Sequence, residues 1–518
     1  MIDPKPTFDA LWRNAVRTHP TSPFLIYQLP DGDTRTWSYS EFDELVESAA
    51  CLLRELGANA SAPIHVALKN CPEFIVLWLA AARVGTWIVS VDPASPAREI
   101  NAQIRRTGAV VGFCGTARSD TYTTGASDLL TRMIEVDEEA GQPHTVFRAP
   151  SSAVAKQNET SPDPSHRLAL MFTSGTTSAP KGVALTQNNY HYVSVTMAKM
   201  LGLESNHRWF VALPLFHANA QYYCIGPAIA VGGSVALTGS FSASRWPDQA
   251  ASLQVTHASL FAAPIRMILS RLTDQASRLS LEHVWFAQSL GREHYTAFAD
   301  LVGCRPRQLY GMTETTAVIT ADLSKTPSND VIGTPLTGRT VRLIDPETGK
   351  EVNVGCPGVV AVEGVRGVDL FDGYLDDVEN TEHTLRDIDG TTVLYTGDLA
   401  TRDKEGVMRF VGRIDDVIKV AGENVSLSEI EAAVAQAPGV LEAAVVSEAD
   451  PVRDHVPVAY IVARDPSAPP STADLDGWAL ANLAPSSRPR RWALIDELPR
   501  TSVGKVRRFR LSSTSADN

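Results

Sequence analysis

Apolar residues in this chain fall into short runs separated by amphipathic stretches, and between residues 64 and 114 the alternation is regular enough to predict parallel α/β structure. Ile64 to Leu68 reads as a strand, Pro72 to Val84 as a helix and Trp87 to Val91 as a second strand. Ala97 to Thr107 reads as a second helix and Ala109 to Cys114 as a third strand. Repeated βα units of this kind hold ligands in the loops at the carboxyl ends of their strands. Leu168 to Phe172 predicts a further strand, entered through a Ser-, Pro- and Asn-containing loop over 150–165. Phe410 to Asp416 reads as a boundary. Beyond it the pattern predicts a helix over Ser428 to Ala437, strands over Leu441 to Ser447 and Pro457 to Ala463, and a helix over Thr472 to Leu483, with Asp465 to Ser471 as a surface linker. The expected fold is therefore α/β, with a large N-terminal domain of βα-layered sheets (1–412) and a small C-terminal α+β domain (413–518). No internal repeat is visible.

The longest apolar run, Phe74 to Ala82, stops at Arg83 and is too short to cross a bilayer. The N-terminus lacks an apolar signal region, so the protein is expected to be cytoplasmic. A chain of 518 residues with 44% apolar and 20% charged residues has the balance of a soluble globular enzyme of two or more domains. Its formal charge of −13 argues against nonspecific binding to nucleic acid or anionic membrane. The six cysteines are scattered without a CxxC pair, which predicts buried thiols and neither a disulfide frame nor a zinc site.

The stretch from Thr173 to Gly182 carries the most chemistry. It is a small, polar, glycine-containing loop directly after a strand, suited to pointing backbone N–H groups and the hydroxyls of Thr173, Ser174, Thr176 and Thr177 at a phosphate, with Gly175 allowing the bend and Lys181 adding a full positive charge. It is not a Walker loop, because Pro180 precedes Lys181 and Gly182 follows it. Further segments follow in order: Leu213 to His217, Tyr310 to Thr315, Tyr395 to Asp398, Gly412 to Val425 and Pro499 to Lys505. A lone acid such as Glu314 or Asp398 caps a turn more often than it serves a reaction, and Lys505 lies in an arginine-rich tail of the kind that usually faces solvent. The ordered set lifts them out of that background.

This set resembles the adenylate-forming superfamily of acyl-CoA synthetases, peptide-synthetase adenylation domains and luciferases, over nearly the whole chain. The resemblance implies that a carboxylate attacks the α-phosphorus of ATP, pyrophosphate leaves and an acyl-adenylate forms. Little covalent chemistry falls to the protein, so alignment and charge stabilisation dominate. At the matching positions Thr173 to Thr177 and Lys181 hold phosphates, Glu314 ligates Mg²⁺, Thr313 bonds the α-phosphate and Tyr310 stacks on adenine. Asp398 takes the ribose hydroxyls with Arg413 assisting. Lys505 bridges the carboxylate and the α-phosphate.

Amino-acid adenylation domains place an Asp after the Phe of the segment that here reads Phe216-His217, to pair with the substrate ammonium. Its absence argues against amino-acid substrates. His217 resembles the histidine of acyl-CoA ligases, at the carboxylate end of the pocket, and coenzyme A becomes the expected thiol acceptor. A separate carrier protein in natural-product biosynthesis is the alternative acceptor, and a non-catalytic binder of acid and nucleotide is a third reading. In the resemblance the small domain is a mobile lid that turns about Asp415 and brings Gly422 and Glu423 to the thiol tunnel. Dimers are common in the family, and no segment here marks an interface. The candidate acyl pocket gathers His217, Asn219, Gln221, Tyr222, Tyr223, Phe261, Gln288 and Gly311, a set suited to an oxygenated, cyclic or aryl acid. Two departures stand out: Ser178 replaces a loop glycine, and Ala287 to Gly291 replaces a Gly-Gly-Ala-Pro-like segment.

Overall fold

The structure is a computed structural model that describes residues 6–147, 162–173, 180–273, 276–420, 423–450, 454–500 and 506–512. Among them four sheets form the framework. The βα units read from the sequence build a seven-stranded sheet in which Ile64–Ala67 lies parallel to both Ile88–Ser90 and Val111–Gly115. Arg167–Thr173 extends this sheet next to Ile88–Ser90 and pairs antiparallel with Lys181–Thr186. A nine-stranded sheet has at its centre the parallel strands Arg208–Val211, His257–Phe261, His283–Ala287 and Arg307–Tyr310. A third sheet, built on Gly358–Gly364 and Thr391–Arg402, takes Met408–Arg413 as an edge strand. The fourth belongs to the C-terminal module, where Val440–Asp450 pairs with Asp454–Ala463.

Local chemistry sets the helix ends. Pro72–Val84 begins with proline at its first position, where no N–H is missed, and ends at Gly85 with φ 79°. Ala97–Thr107 ends at Gly108 in the same left-handed cap, φ 65°. The small-domain helix spans Leu427–Val434, started by the Ser426 side chain accepting from the Glu429 N–H. It stops three residues before the expected Ala437, because Pro438 disfavours helical backbone just before it. The predicted strand 441–447 is longer, Val440–Asp450, paired along its length. The predicted boundary falls at the end of Met408–Arg413, where the chain leaves the third sheet through a single 3₁₀ turn, Ile414–Asp416.

The apolar run Phe74 to Ala82 is buried on all sides between sheet and helices. Arg83 is buried with it: its guanidinium reaches Asp43 at 2.6 Å, Glu47 at 3.1 Å and Asp9 at 3.3 Å, tying three helices together. No described helix is long and apolar enough to cross a membrane. Four cysteines are buried, but Cys304 is half-buried and Cys356 exposed on a turn, against the expectation that all six lie inside.

In the first turn of the same helix Glu73 is 1% exposed, and its pKa is pushed up to about 7, chiefly by burial with Glu138 and Asp137 adding to it. A carboxyl raised in the folded state contributes stability below its unfolded value near 4.5, and that stability is lost as pH rises through about 7. Glu73→Gln is therefore expected to leave stability unchanged near pH 4 and to raise it by about 3 kcal/mol at pH 8, measured by urea unfolding at both pH values.

Candidate functional site

On the phosphate side, Thr173 stands opposite Lys181 at the end of the Arg167–Thr173 and Lys181–Thr186 pair, and the Thr173 hydroxyl donates to the Lys181 carbonyl at 3.4 Å. Lys181 Nζ donates to Asn380 Oδ1 at 3.1 Å and lies 5.0 Å from the centre of the Tyr374 ring. The Tyr374 hydroxyl in turn donates to Glu314 Oε1 at 2.9 Å, and Glu314 is only 5% exposed. One chain of contacts thus joins the lysine of the phosphate loop to the carboxylate expected to take a cation. Burial first, then the Glu314 charge, raises the Tyr374 hydroxyl well above its ordinary value, so it remains a donor at neutral pH. Asp377 holds the Asn380 amide at 2.9 and 3.0 Å, and Arg106 steadies the loop exit through the carbonyls of Pro180 and Leu375 at 2.6 and 2.8 Å. Ser174, Gly175, Thr176, Thr177 and the departure at Ser178 lie outside the described residues, as do Gly422 and Lys505.

On the nucleoside side, strand pairing places Asp398 opposite Arg413. The Tyr310 hydroxyl donates to Asp398 Oδ2 at 2.7 Å, and Arg413 Nη1 lies 3.6 Å from Oδ1. Burial, and after it the Asp398 charge, keeps the Tyr310 hydroxyl protonated. The Phe410 ring stands 6.2 Å from that of Tyr310. Gly311 follows directly, and a Cβ there would sit 3.1 Å from Val318 Cα and 3.3 Å from the Tyr223 hydroxyl, so a larger residue would have to push these segments apart by a few tenths of an ångström.

Thr313 and Glu314 sit in a 3₁₀ turn, Thr313–Thr315, followed by Thr316 at φ 55°. The residue that holds this turn is Arg339, 7% exposed. Its guanidinium donates to the carbonyls of Thr315, Ala317, Val318 and Asp369 at 2.7–3.2 Å. The planar fork satisfies four buried acceptors at once. Sequence patterns gave no sign of Arg339, Tyr374, Asn380 or Arg106. Each acts on a backbone carbonyl or a partner distant in sequence.

On the acyl side, His217 caps the short helix Ala218–Ala220, with its ring 4.4 Å from that of Phe216. Asn219 Nδ2 donates to Ser259 Oγ at 2.9 Å, while its buried Oδ1 meets no partner among the described residues. Gln221, expected in the pocket wall, is a core brace instead: it is fully buried, its amide donates to the Leu215 carbonyl at 2.7 Å and accepts from the Tyr190 hydroxyl at 2.6 Å. Tyr222 is fully buried as well, its hydroxyl 3.5 Å from the Thr313 carbonyl. Gln288 holds φ 73° with its side chain exposed, a left-handed conformation that favours glycine. Leu290, in the place of a turn proline, anchors the loop by burying its side chain in the core of the nine-stranded sheet. Asp415 is exposed in the turn Ile414–Asp416, and Glu423 opens the strand Glu423–Ser426.

Among the described residues no three His, Cys, Asp or Glu side chains converge as a ligand set. A cation at Glu314 would draw its remaining ligands from phosphate oxygens and water, the habit of Mg²⁺.

This geometry agrees with what family comparison finds. Residues 12–375 match the AMP-binding enzyme family and residues 429–505 match the AMP-binding enzyme C-terminal domain. The chain belongs to this family. Its relatives include 4-coumarate--CoA ligase 1 of Oryza sativa subsp. japonica, 28% identical over 92% of this chain and 86% of that protein. Crotonobetaine/carnitine--CoA ligase of Proteus mirabilis is 28% identical over 96% of this chain and 97% of that protein. The fold superposes on the crystal structure of the anthranilate CoA ligase AuaEII in complex with anthranoyl-AMP with a TM-score of 0.88, covering 99% of this chain and 98% of that one at 22% identity.

Arg339→Lys keeps the charge but loses the fork, leaving buried carbonyls of the Glu314 turn unsatisfied. It is expected to cost about 2–3 kcal/mol of stability and at least about tenfold in ATP-dependent pyrophosphate release, read by thermal melts and a phosphate-coupled assay.

Proposed function

We propose that this AMP-binding enzyme is an ATP-dependent acyl-CoA ligase, activating a carboxylic acid as its acyl-adenylate and passing the acyl group to coenzyme A with release of AMP and pyrophosphate. The observation that carries the reading is that the segment from Tyr310 to Glu314 links two contact groups, Lys181–Tyr374–Glu314 on one side and Tyr310–Asp398–Arg413 on the other, in a chain whose relatives are CoA ligases.

In this reading Thr173 to Thr177 and Lys181 bind the β- and γ-phosphates. Thr313 donates to the α-phosphate as it becomes pentacoordinate. Tyr310 stacks on adenine while its hydroxyl keeps Asp398 oriented, and the Asp398 carboxylate accepts from the ribose hydroxyls with Arg413 balancing its charge. Mg²⁺ held by Glu314 supplies charge neutralisation at the phosphates. Lys505, carried by the small domain, brings a cation between the incoming carboxylate and the α-phosphate, where negative charge concentrates in the transition state. The large domain spans 1–412 and the small one 413–518. Rotation at Asp415 then exchanges Lys505 for the segment with Gly422 and Glu423, and the thiol attacks the acyl carbonyl with AMP leaving. The cytoplasm, with its ATP and CoA, is the place for this reaction.

The acid is of the oxygenated aryl or cyclic kind. Tyr223 and Phe261 offer aromatic contact. The Asn219 carbonyl oxygen, buried without a partner among the described residues, calls for a donor on the substrate. His217 stands at the carboxylate end.

Lys505→Ala is expected to lower acid-dependent ATP–pyrophosphate exchange by on the order of 10²–10³-fold while leaving thioester formation from preformed acyl-adenylate nearly intact. Equal loss in both half-reactions contradicts the two-orientation scheme.

A further inference from the structure

Lys181 opens the strand Lys181–Thr186, and the short strand Gly373–Tyr374 runs antiparallel beside it. Tyr374 stands opposite Val183, and the Leu375 N–H donates to the Gly182 carbonyl at 2.8 Å. The chain then enters the helix Val378–Thr384, capped by Asp377, whose side chain accepts from the Asn380 N–H at 3.2 Å. One turn of this helix fixes both neighbours of the lysine. Thr381 Oγ1 accepts from the Tyr374 N–H at 2.9 Å and donates to the Asp377 carbonyl at 2.7 Å, which ties down the backbone carrying the Tyr374 ring. Asn380 supplies the other contact, with Oδ1 3.1 Å from Lys181 Nζ.

The Asn380 amide fits between its two partners only one way round. Both Asp377 oxygens accept from its Nδ2, at 3.0 and 2.9 Å, and an ionised carboxylate has nothing to donate in return. An ammonium, equally, has no lone pair with which to accept. The nitrogen is therefore committed to Asp377 and the oxygen to Lys181. Among the described residues the lysine meets this amide oxygen and, at 5.0 Å, the centre of the Tyr374 ring. Both partners attract a cation and neither cancels its charge. A lysine on a flexible four-carbon stem loses rotamer freedom when it engages a phosphate, and one that is already held loses less.

We propose that Asn380, locked by Asp377, is a positioning residue that presents the Lys181 ammonium with its full charge to the β- and γ-phosphates of ATP. The role rests on the assignment of Lys181 to those phosphates. Its signature is selective: a triphosphate feels the lysine, and a nucleoside monophosphate does not. Tyr374 extends the same device, because its ring meets Lys181 while its hydroxyl donates to Glu314 at 2.9 Å. One helix turn thus sets the spacing between the phosphate-side cation and the carboxylate assigned to Mg²⁺.

The test is nucleotide binding to the full-length enzyme by calorimetry, with ATP and AMP as probes, alongside both half-reactions. Asn380→Ala is expected to weaken ATP binding about five- to tenfold and AMP binding less than about twofold, through loss of one hydrogen bond to a charged group. The KM for ATP in acid-dependent ATP–pyrophosphate exchange should rise in step. Thioester formation from preformed acyl-adenylate, which carries neither phosphate, should change less than about twofold. Asn380→Asp keeps an acceptor in reach but cancels the charge of the lysine, and is expected to weaken ATP at least as much as the alanine variant. Asn380→Ala should add nothing to Lys181→Met in the double variant. Unchanged ATP affinity in Asn380→Ala, or equal weakening of ATP and AMP with a matching fall in Tm, overturns the proposal. So does an Asn380→Asp enzyme that binds ATP as tightly as the unaltered one. Lys181→Met separates the two failures. If that variant keeps full ATP affinity, the underlying assignment falls. If it loses ATP affinity while Asn380→Ala keeps it, only the positioning role falls.

Discussion

A turn of backbone with its carbonyls facing inward can be held in place only if something buried satisfies them, and here that group is the guanidinium of Arg339. Four carbonyls from the segments around Thr315 to Val318 and Asp369 converge on its two terminal nitrogens. With that turn fixed, Glu314 faces Tyr374, Gly311 can press against Val318, and Tyr310 projects toward Asp398. The two halves of the proposed nucleotide site are contributed by different sheets, and this turn is where they meet. A charge spread over a planar fork suits the task, because the desolvation cost of one cation is shared among four acceptors.

In the proposed reaction the substrate's own charge changes, and the charged residues assigned to the site bear on that change. The protein as a whole carries a formal charge of −13, yet the proposed phosphate and ribose contacts include the cations Lys181 and Arg413, with Arg106 at the exit of the phosphate loop. Lys181 and Arg106 are held by neutral amide and carbonyl oxygens and so keep their full charge, while Arg413 is paired with Asp398. The small domain repeats the device on its own surface, with Glu431, Glu442 and Asp416 orienting arginines that flank residues 501–505. The proposed division of labour between the two domains follows from the chemistry: an anion-bridging cation helps the first half-reaction and stands where the thiol must enter in the second.

Much of this was legible in the sequence. The helices Pro72–Val84 and Ala97–Thr107 could be read to the residue, because proline opens the first and glycines stand just past both ends. The small-domain helix was read too long because its periodicity runs on past Val434 while Pro438 has already ended it. The residues proposed to react sit in local motifs and so could be named from the sequence. Their supports could not: Tyr374 lies 60 residues from Glu314, and Asn380 lies 199 residues from Lys181. Gln221 misled because a polar residue near a motif reads as a pocket wall. Its partners, the Tyr190 hydroxyl and the Leu215 carbonyl, become visible only when the chain has folded. Arg83 looked like the polar end of an apolar run and proves to be its most heavily paired member, held by three acids.

The most direct measurement is a carrier-free reaction of the purified protein with ATP, Mg²⁺ and CoA over short-chain, long-chain, aryl and polycyclic acids, following pyrophosphate and identifying acyl products by mass spectrometry. The account predicts acid-dependent pyrophosphate release matched by an acyl-CoA, with oxygenated aryl or cyclic acids preferred. Acyl-adenylate that accumulates without thioester in the presence of CoA, and is captured only when a phosphopantetheinyl carrier protein is supplied, would contradict it.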